Sequence, residues 1–438
     1  MSECLVAMSV DRESSATATF ARERIAFFAV ALTTCGILLA SAAFAQSDIE
    51  VGVLLPLSGP MAAEGRRQLN GLEVMREVIN ERGGIAGRKL GWVVGDAADP
   101  TAAINEASRL IAQQGVRLII GTYSSSLCVP ASDVAARRGI IYWEVSCVDP
   151  RFTKRGYSNV YRTEINAAGF GWYTTEFIRT TLASRLGKDP RSLRIAFVSE
   201  DSAYGQGSTE AAASRAKAIG FKVVSVDYYN RNAITDFAPI ILKLKASKPD
   251  VVHAQAYTND AILFWKQARQ LDLNVGALVS AGATGFGSPD FGRNLGRFAE
   301  GPFVLDEPGG INMKTLSSEA AAMEELVARR YAARYGGEMI GGAAQLGAAG
   351  LWILSEVLRR TDGDLDPDRF RQAVMSLDIP VGGMLNGWGV KFGADGQNAN
   401  DRVQHYMLQW QDGKLVTVWP EKFAVAPLKR VPLPPWRD

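Results

Sequence analysis

The chain has 438 residues, 48 Lys and Arg against 46 Asp and Glu, and a formal net charge of +2. That balance gives no clustered basic face for nucleic acid, and the length exceeds what one hydrophobic core organises, so about two domains are expected. Only two histidines, His253 and His405, are present, and no H-E-x-x-H, Cys/His cluster or G-x-S-x-G occurs. Neither a zinc site nor a hydrolase triad is therefore expected, and no cofactor, metal or catalytic residue.

At the N-terminus Arg22 and Arg24 precede the apolar run Ile25 to Ala40, and Ala43-Phe44-Ala45 follows. This is the order of a secretory signal peptide, residues 1–45, with the mature chain starting near Gln46 and a periplasmic location; a buried core helix is the alternative for the run. No later stretch is long and apolar enough to span a bilayer. Cys128 and Cys147 survive cleavage, 19 positions apart, in a compartment where two cysteines can pair. Such a disulfide is worth about 3 kcal/mol in the chain-entropy view, two buried free thiols being the other reading.

From Ile49 onward β-rich runs alternate with helical patterns. Glu50 to Leu55 leads to Arg67–Glu81, Lys89 to Val94 to Thr101–Gln113, and Arg117 to Ile120 to Pro130–Arg137, before Ile140 to Val145. The rhythm repeats from Arg194 to Ser199 through Ala277 to Ser280, with His253 inside one strand as a core histidine. Two successive sets predict an α/β fold of two doubly wound parallel-sheet lobes, with ligands at the C-terminal ends of the strands. Later come a strand Phe303 to Leu305, helices Glu319–Tyr335 and Ala343–Arg360, and a hairpin turning at Asp412-Gly413. The Pro-rich tail Val431 to Pro435 reads as an extended strap.

Gly205-Gln206-Gly207 opens a helix but lacks the third glycine of a dinucleotide loop, so a plain helix start is expected. Gly121-Thr122-Tyr123-Ser124-Ser125-Ser126 carries the strongest binding signal. It joins a strand to a helix, where hydroxyls and free N–H groups can receive a carboxylate; ordinary serine capping is the alternative.

With these residues the sequence resembles the type I periplasmic solute-binding proteins of ABC transporters, in the branched-chain amino-acid-binding (leucine/isoleucine/valine) group. The likeness runs from Ile49 to about Trp419 through Pro56-Leu57-Ser58-Gly59-Pro60, Asn80-Glu81-Arg82-Gly83-Gly84, Gly95-Asp96-Ala97-Ala98-Asp99-Pro100, Lys154-Arg155-Gly156-Tyr157, Tyr161-Arg162-Thr163 and Tyr204-Gly205. The resemblance implies two lobes joined by three crossovers, near Arg162-Thr163, Gly301-Pro302 and Leu385 to Gly389. Lobe one would hold residues 46–161 and 303–384, and lobe two 162–302 and 385–438. It further implies a non-enzymatic monomer that captures a small molecule by hinge closure and passes it to the permease and ATPase of an importer. By position Ser125 would hold the ligand carboxylate, Tyr204 and Tyr257 would close over it, and Cys147 would offer backbone groups.

Departures bear on the ligand. Where the group places the glutamate that receives the ligand ammonium, this chain has Gly282, and the group's disulfide positions read Ala98 and Ser124. Glu144, at the strand leading to Cys147, and Glu64, after the first strand, are candidate replacement acids, Glu144 alternatively being a structural strand-end ion pair. Tyr123 and Trp143 suit an apolar or aromatic body. An apolar amino acid is the default ligand, with a small amide or an aromatic or aliphatic carboxylate as the alternative. A sensory ligand-binding subunit and a secreted enzyme are the readings from other classes.

Overall fold

Five short runs of β-branched and aliphatic residues, β1 (Ile49–Leu55), β2 (Leu90–Asp96), β3 (Leu118–Gly121), β4 (Ile141–Glu144) and β5 (Val160–Arg162), pair in the order β2-β1-β3-β4-β5, all parallel. In β1 every residue but Glu50 is buried, as a parallel sheet covered on both faces requires. The computed structural model describes residues 48–282, 285–399 and 401–436; the expected leader, residues 1–45, lies outside them.

The second sheet has seven strands: β6 (Arg194–Glu200), β7 (Lys222–Tyr229), β8 (Val251–Gln255), β9 (Ala277–Ala281), β10 (Phe303–Asp306), β11 (Tyr406–Gln411) and β12 (Lys414–Trp419), in the order β12-β11-β10-β9-β8-β6-β7. From β7 to β10 the pairing is parallel, and β11 and β12 add an antiparallel hairpin. Its turn residues Asp412 and Gly413 both hold positive φ, 53° and 76°, the conformation that matches hairpin twist. The tail runs back as a strap: Leu433 N–H donates to Gly276 O at 2.8 Å, and Trp436 packs edge-on to Trp265.

Helices Ala62–Glu81 and Gly342–Arg360 cross closely on the first lobe. A Cβ at Gly71 would lie 1.8 Å from Ala344 O, so only glycine allows that approach. The two sheets belong to one compact unit, Asp48–Asp438.

Two crossovers lie further along the chain than expected. Phe303–Asp306, placed by the sequence reading in lobe one, is hydrogen-bonded between β9 and β11: its apolar run simply continues the second parallel set, so the return crossing follows Asp306. Leu385 to Gly389 is not a crossover either. Arg162 N–H donates to Gly396 O and Asn398 N–H to Arg162 O, both at 2.9 Å, so the segment up to Asn398 extends the first sheet beyond β5. The chain reaches the second sheet between Ala399 and Tyr406. The glycine- and asparagine-rich stretch from Gly382 to Asn398 has no apolar period to mark its lobe.

Candidate functional site

The space between the lobes, about 420 Å³ including its mouth, lies at the C-terminal ends of the strands, as ligand sites of open parallel sheets do. From the first lobe Tyr123, Ser124, Ser146, Val148 and Leu346 line it, and from the second Phe170, Tyr204, Tyr257 and Gly282. Its remaining polar wall is Glu164, Asp306 and His405. A larger outer hollow shares Tyr257 and adds Glu64, Arg66, Arg231 and Asp290.

The loop after β3 builds the first wall. Tyr123 stands at φ +82°, a left-handed conformation that costs a bulky residue about 1–3 kcal/mol and marks functional loops. Its hydroxyl is buried with no hydrogen-bond partner. Burial pushes that phenol well above its usual range, and the nearby Glu64, tyrosines and Asp306 add to the effect. The helix begins at Ser125, five residues before the start expected at Pro130, with Ser124 at the N-cap; the first-turn amides of Ser125 and Ser126 thus have no intrahelical acceptor. Ser125 Oγ is buried and without a partner. Ser124 Oγ lies 3.2 Å from Tyr257 OH and 3.1 Å from Ser126 Oγ, the first of these contacts joining the lobes.

Glu144 does not face the cavity. One of its oxygens accepts from Thr122 N–H at 2.5 Å, the other from Val145, Ser146 and Cys147 N–H at 3.1, 3.1 and 3.2 Å. It is fully buried, and burial raises its carboxyl to about 7 against the pull of these amides. Both oxygens are occupied, so Glu144 is a brace between two cavity loops and neither a ligand acid nor a strand-end ion pair. Cys147 sits on the second of those loops, bonded to Cys128 with their Cα atoms 6.3 Å apart, and its carbonyl accepts from buried Arg162 at 3.1 Å.

Across the cleft Tyr204 OH donates to Ala281 O at 2.5 Å and occupies the space beside Gly282 that a Cβ would need, only 2.1 Å away. Tyr257 carries Arg231 over its ring at 4.2 Å. Glu64 sits in the first turn of its helix and accepts from Thr258 Oγ1 at 2.6 Å. Arg67 pairs with Asp290 at 2.9 Å. Trp143, expected near the ligand, is instead in the core against Tyr161, Phe370 and Phe392. His253 is a core histidine, packed on Phe197 and held at about 4 by burial.

Sequence reasoning missed Glu164, Asp306, His405 and Phe170. The acidic pair Asp306-Glu307 directly after the apolar Phe303-Val304-Leu305 was a readable signal at a strand's C-terminal end; Phe170, inside a Gly- and aromatic-rich helix, carried none.

The profile of the periplasmic binding protein family matches residues 48–414. Leu/Ile/Val-binding protein homolog 7 of Brucella suis biovar 1 is 35% identical over 397 residues, 90% of this chain and 96% of that protein. The substrate-binding protein LivJ of a branched-chain amino acid transporter from Streptococcus pneumoniae, solved with isoleucine, has a TM-score of 0.70 at 19% identity, covering 84% of this chain and 97% of its own. A solute-binding protein of an ABC transporter from R. palustris, solved with benzoate, has a TM-score of 0.71 at 20% identity, covering 87% and 97%. The two solved structures share the fold, and the chain belongs to the periplasmic binding protein family, as a two-lobed solute-binding protein and not an enzyme.

Proposed function

We propose that this chain is exported by an N-terminal signal peptide, works as a monomer in the periplasm, and delivers a small carboxylate-bearing solute with an apolar body to the permease and ATPase of an ABC importer. The observation that carries the ligand class is the pair of buried, unpartnered hydroxyls, Tyr123 OH and Ser125 Oγ, on the loop that opens the Ser125–Ala136 helix. Buried polar groups are almost always hydrogen-bonded, and a ligand carboxylate at this helix start would satisfy both hydroxyls together with the free first-turn amides. Phe170, Tyr204 and Tyr257 give the ligand body apolar cover, and tyrosine adds a directed hydroxyl to that cover. Ser124, Ser146 and Val148 complete the first-lobe wall, while Cys147, between the last two, is buried in the disulfide and does not line the cavity. Branched-chain and other apolar amino acids head the order of candidates, following the relatives' names.

A thermal-shift screen of the mature protein against amino acids, small amides and aromatic or aliphatic carboxylates tests this, since a ligand of the folded state alone raises apparent stability by about 2.7 kcal/mol at a hundredfold excess over Kd. Stabilisation by a carboxylate-bearing compound that is lost in Ser125→Ala supports the reading. Stabilisation by amides alone, or by nothing, defeats it.

A further inference from the structure

Four ionisable side chains meet where the chain passes between the lobes. Glu164 lies two residues beyond β5, Asp306 and Glu307 end β10 and begin the second crossing, and His405 directly precedes β11. Their exposures are 2%, 4%, 1% and 1%. His405 Nε2 is 3.0 Å from Glu164 Oε1, and Asn386 donates to Glu307 Oε2 at 2.7 Å. Asp306 Oδ1 accepts the Glu307 amide at 2.7 Å. Glu307 Oε1 and His405 Nδ1 are buried without partners. Among the described residues no lysine or arginine forms an ion pair with any of the three acids.

Glu164 and Glu307 thus gather round one imidazole, and Asp306 stands beside them at the end of β10, close enough to feel the Glu164 charge. A buried carboxylate without a counter-charge is strongly unfavourable, and two of these acids, Glu164 and Asp306, open onto the cavity wall. Tyr123, 6% exposed, turns its unpartnered hydroxyl to the same cavity. Gly282 cannot supply the acid that the resemblance places there, because Tyr204 OH fills the side-chain space. Yet Gly282 N–H donates to Leu305 O at 2.7 Å, so Asp306 stands at the end of the neighbouring strand.

We propose that Asp306, supported by Glu164, receives a cationic nitrogen of the ligand, an ammonium or amidinium, so that the cation site has moved from the end of β9 to the end of β10 and the crossings between lobes. This rests on the capture reading above. A cation held between Glu164 and Asp306 also bridges two crossings, so the group that neutralises the acids sits where the lobes pivot.

Calorimetric titration of the mature protein with matched compounds tests it: L-leucine against 4-methylpentanoate, and L-phenylalanine against 3-phenylpropanoate. In the unaltered protein the amine-bearing member of a pair binds at least tenfold tighter, and in Asp306→Asn that gap closes to less than threefold. Glu164→Gln, which keeps the shape of its side chain, serves as the second variant if Asp306→Asn does not fold, with the gap narrowing in the same direction. Tighter binding of the deaminated acids, or a gap unchanged in both variants, overturns the cation site while leaving capture intact. Failure of both series to bind sinks the capture reading and this one with it. Zinc titrated alone is the control, and tight zinc binding that disappears in His405→Gln would assign the cluster to a metal and overturn the ammonium.

Discussion

Gly282→Ala is the sharpest test of how the second-lobe wall is built. Gly282 stands at φ +92°, and a Cβ there falls 2.1 Å from Tyr204 OH and 3.1 Å from Tyr204 Cζ. Alanine must therefore hold a left-handed conformation, costing about 1–3 kcal/mol. It must also move the Tyr204 hydroxyl off Ala281 O, losing a buried hydrogen bond worth about 1 kcal/mol. Ala281 O keeps its second donor, Gln255 Nε2 at 2.6 Å, so the carbonyl is not orphaned and the sum stays near 2–4 kcal/mol. In a Tyr204→Phe background the hydroxyl contact is gone and only ring carbons at 3.1 and 3.4 Å remain. There the same alanine should cost about 1 kcal/mol less, a coupling that a double-mutant cycle resolves. Urea unfolding followed by both fluorescence and circular dichroism supplies the free energies, provided the two probes give one coincident transition. Equal cost of Gly282→Ala in the two backgrounds would refute the claim that Tyr204 occupies the missing side chain's place.

The brace and the disulfide give two further outcomes. Burial raises the Glu144 carboxyl from an ordinary 4.5 to about 7, so the folded state holds its proton more tightly than the unfolded one. Its contribution is full below about pH 4 and fades as pH rises to 7. The unaltered protein should therefore lose up to about 3 kcal/mol more than Glu144→Gln between pH 4.5 and 7.5, and parallel urea midpoints across that range would contradict this. Reducing Cys128–Cys147, which closes a separation of 19 residues, should cost about 3 kcal/mol. It should leave the Cys128→Ser, Cys147→Ser double variant unaffected, as melting with and without dithiothreitol reads directly.

Much of the fold was legible because its strands are short apolar runs at regular spacing. Arg194–Glu200 and Ala277–Ala281 fall where the alternation puts them, and the turn chemistry of Asp412-Gly413 marks the hairpin. The helix Ala167–Phe177 was not legible, since AAGFGWYTTEF is buried around most of its circumference and shows no polar face. Crossing points were illegible for a related reason: a strand's pattern reports burial, and β10 would be buried equally well in either sheet. At the site, the loop from Gly121 to Ser126 announced itself through its hydroxyls, whereas Glu144 misled. An acid at a strand end looks like a ligand group in sequence, and only the four amides converging on it reveal that its oxygens are already occupied.

The contacts across the cleft are few, and their energies decide how firmly the lobes stay together. Ser124 meets Tyr257 at 3.2 Å, Thr258 donates to Glu64 at 2.6 Å, and Arg67 pairs with Asp290 at 2.9 Å. The hydrogen bonds are worth about 0.5–1.5 kcal/mol each, and the ion pair, partly exposed on both sides, about 0–1 kcal/mol. Removing one shifts the balance between closed and open lobes by about fivefold, since 1 kcal/mol is about that factor. A ligand selects the closed form, so its apparent affinity falls by the fraction of closed protein that is lost. Thr258→Ala and Arg67→Met, neither of which lines the inner cavity, should each raise the ligand-free radius of gyration measured by X-ray scattering. Each should also weaken binding of the same ligand by up to about fivefold, while the ligand-bound radius stays that of the unaltered protein. A ligand-free radius already at the bound value in both variants would mean that packing at the crossings, and not these mouth contacts, holds the lobes closed.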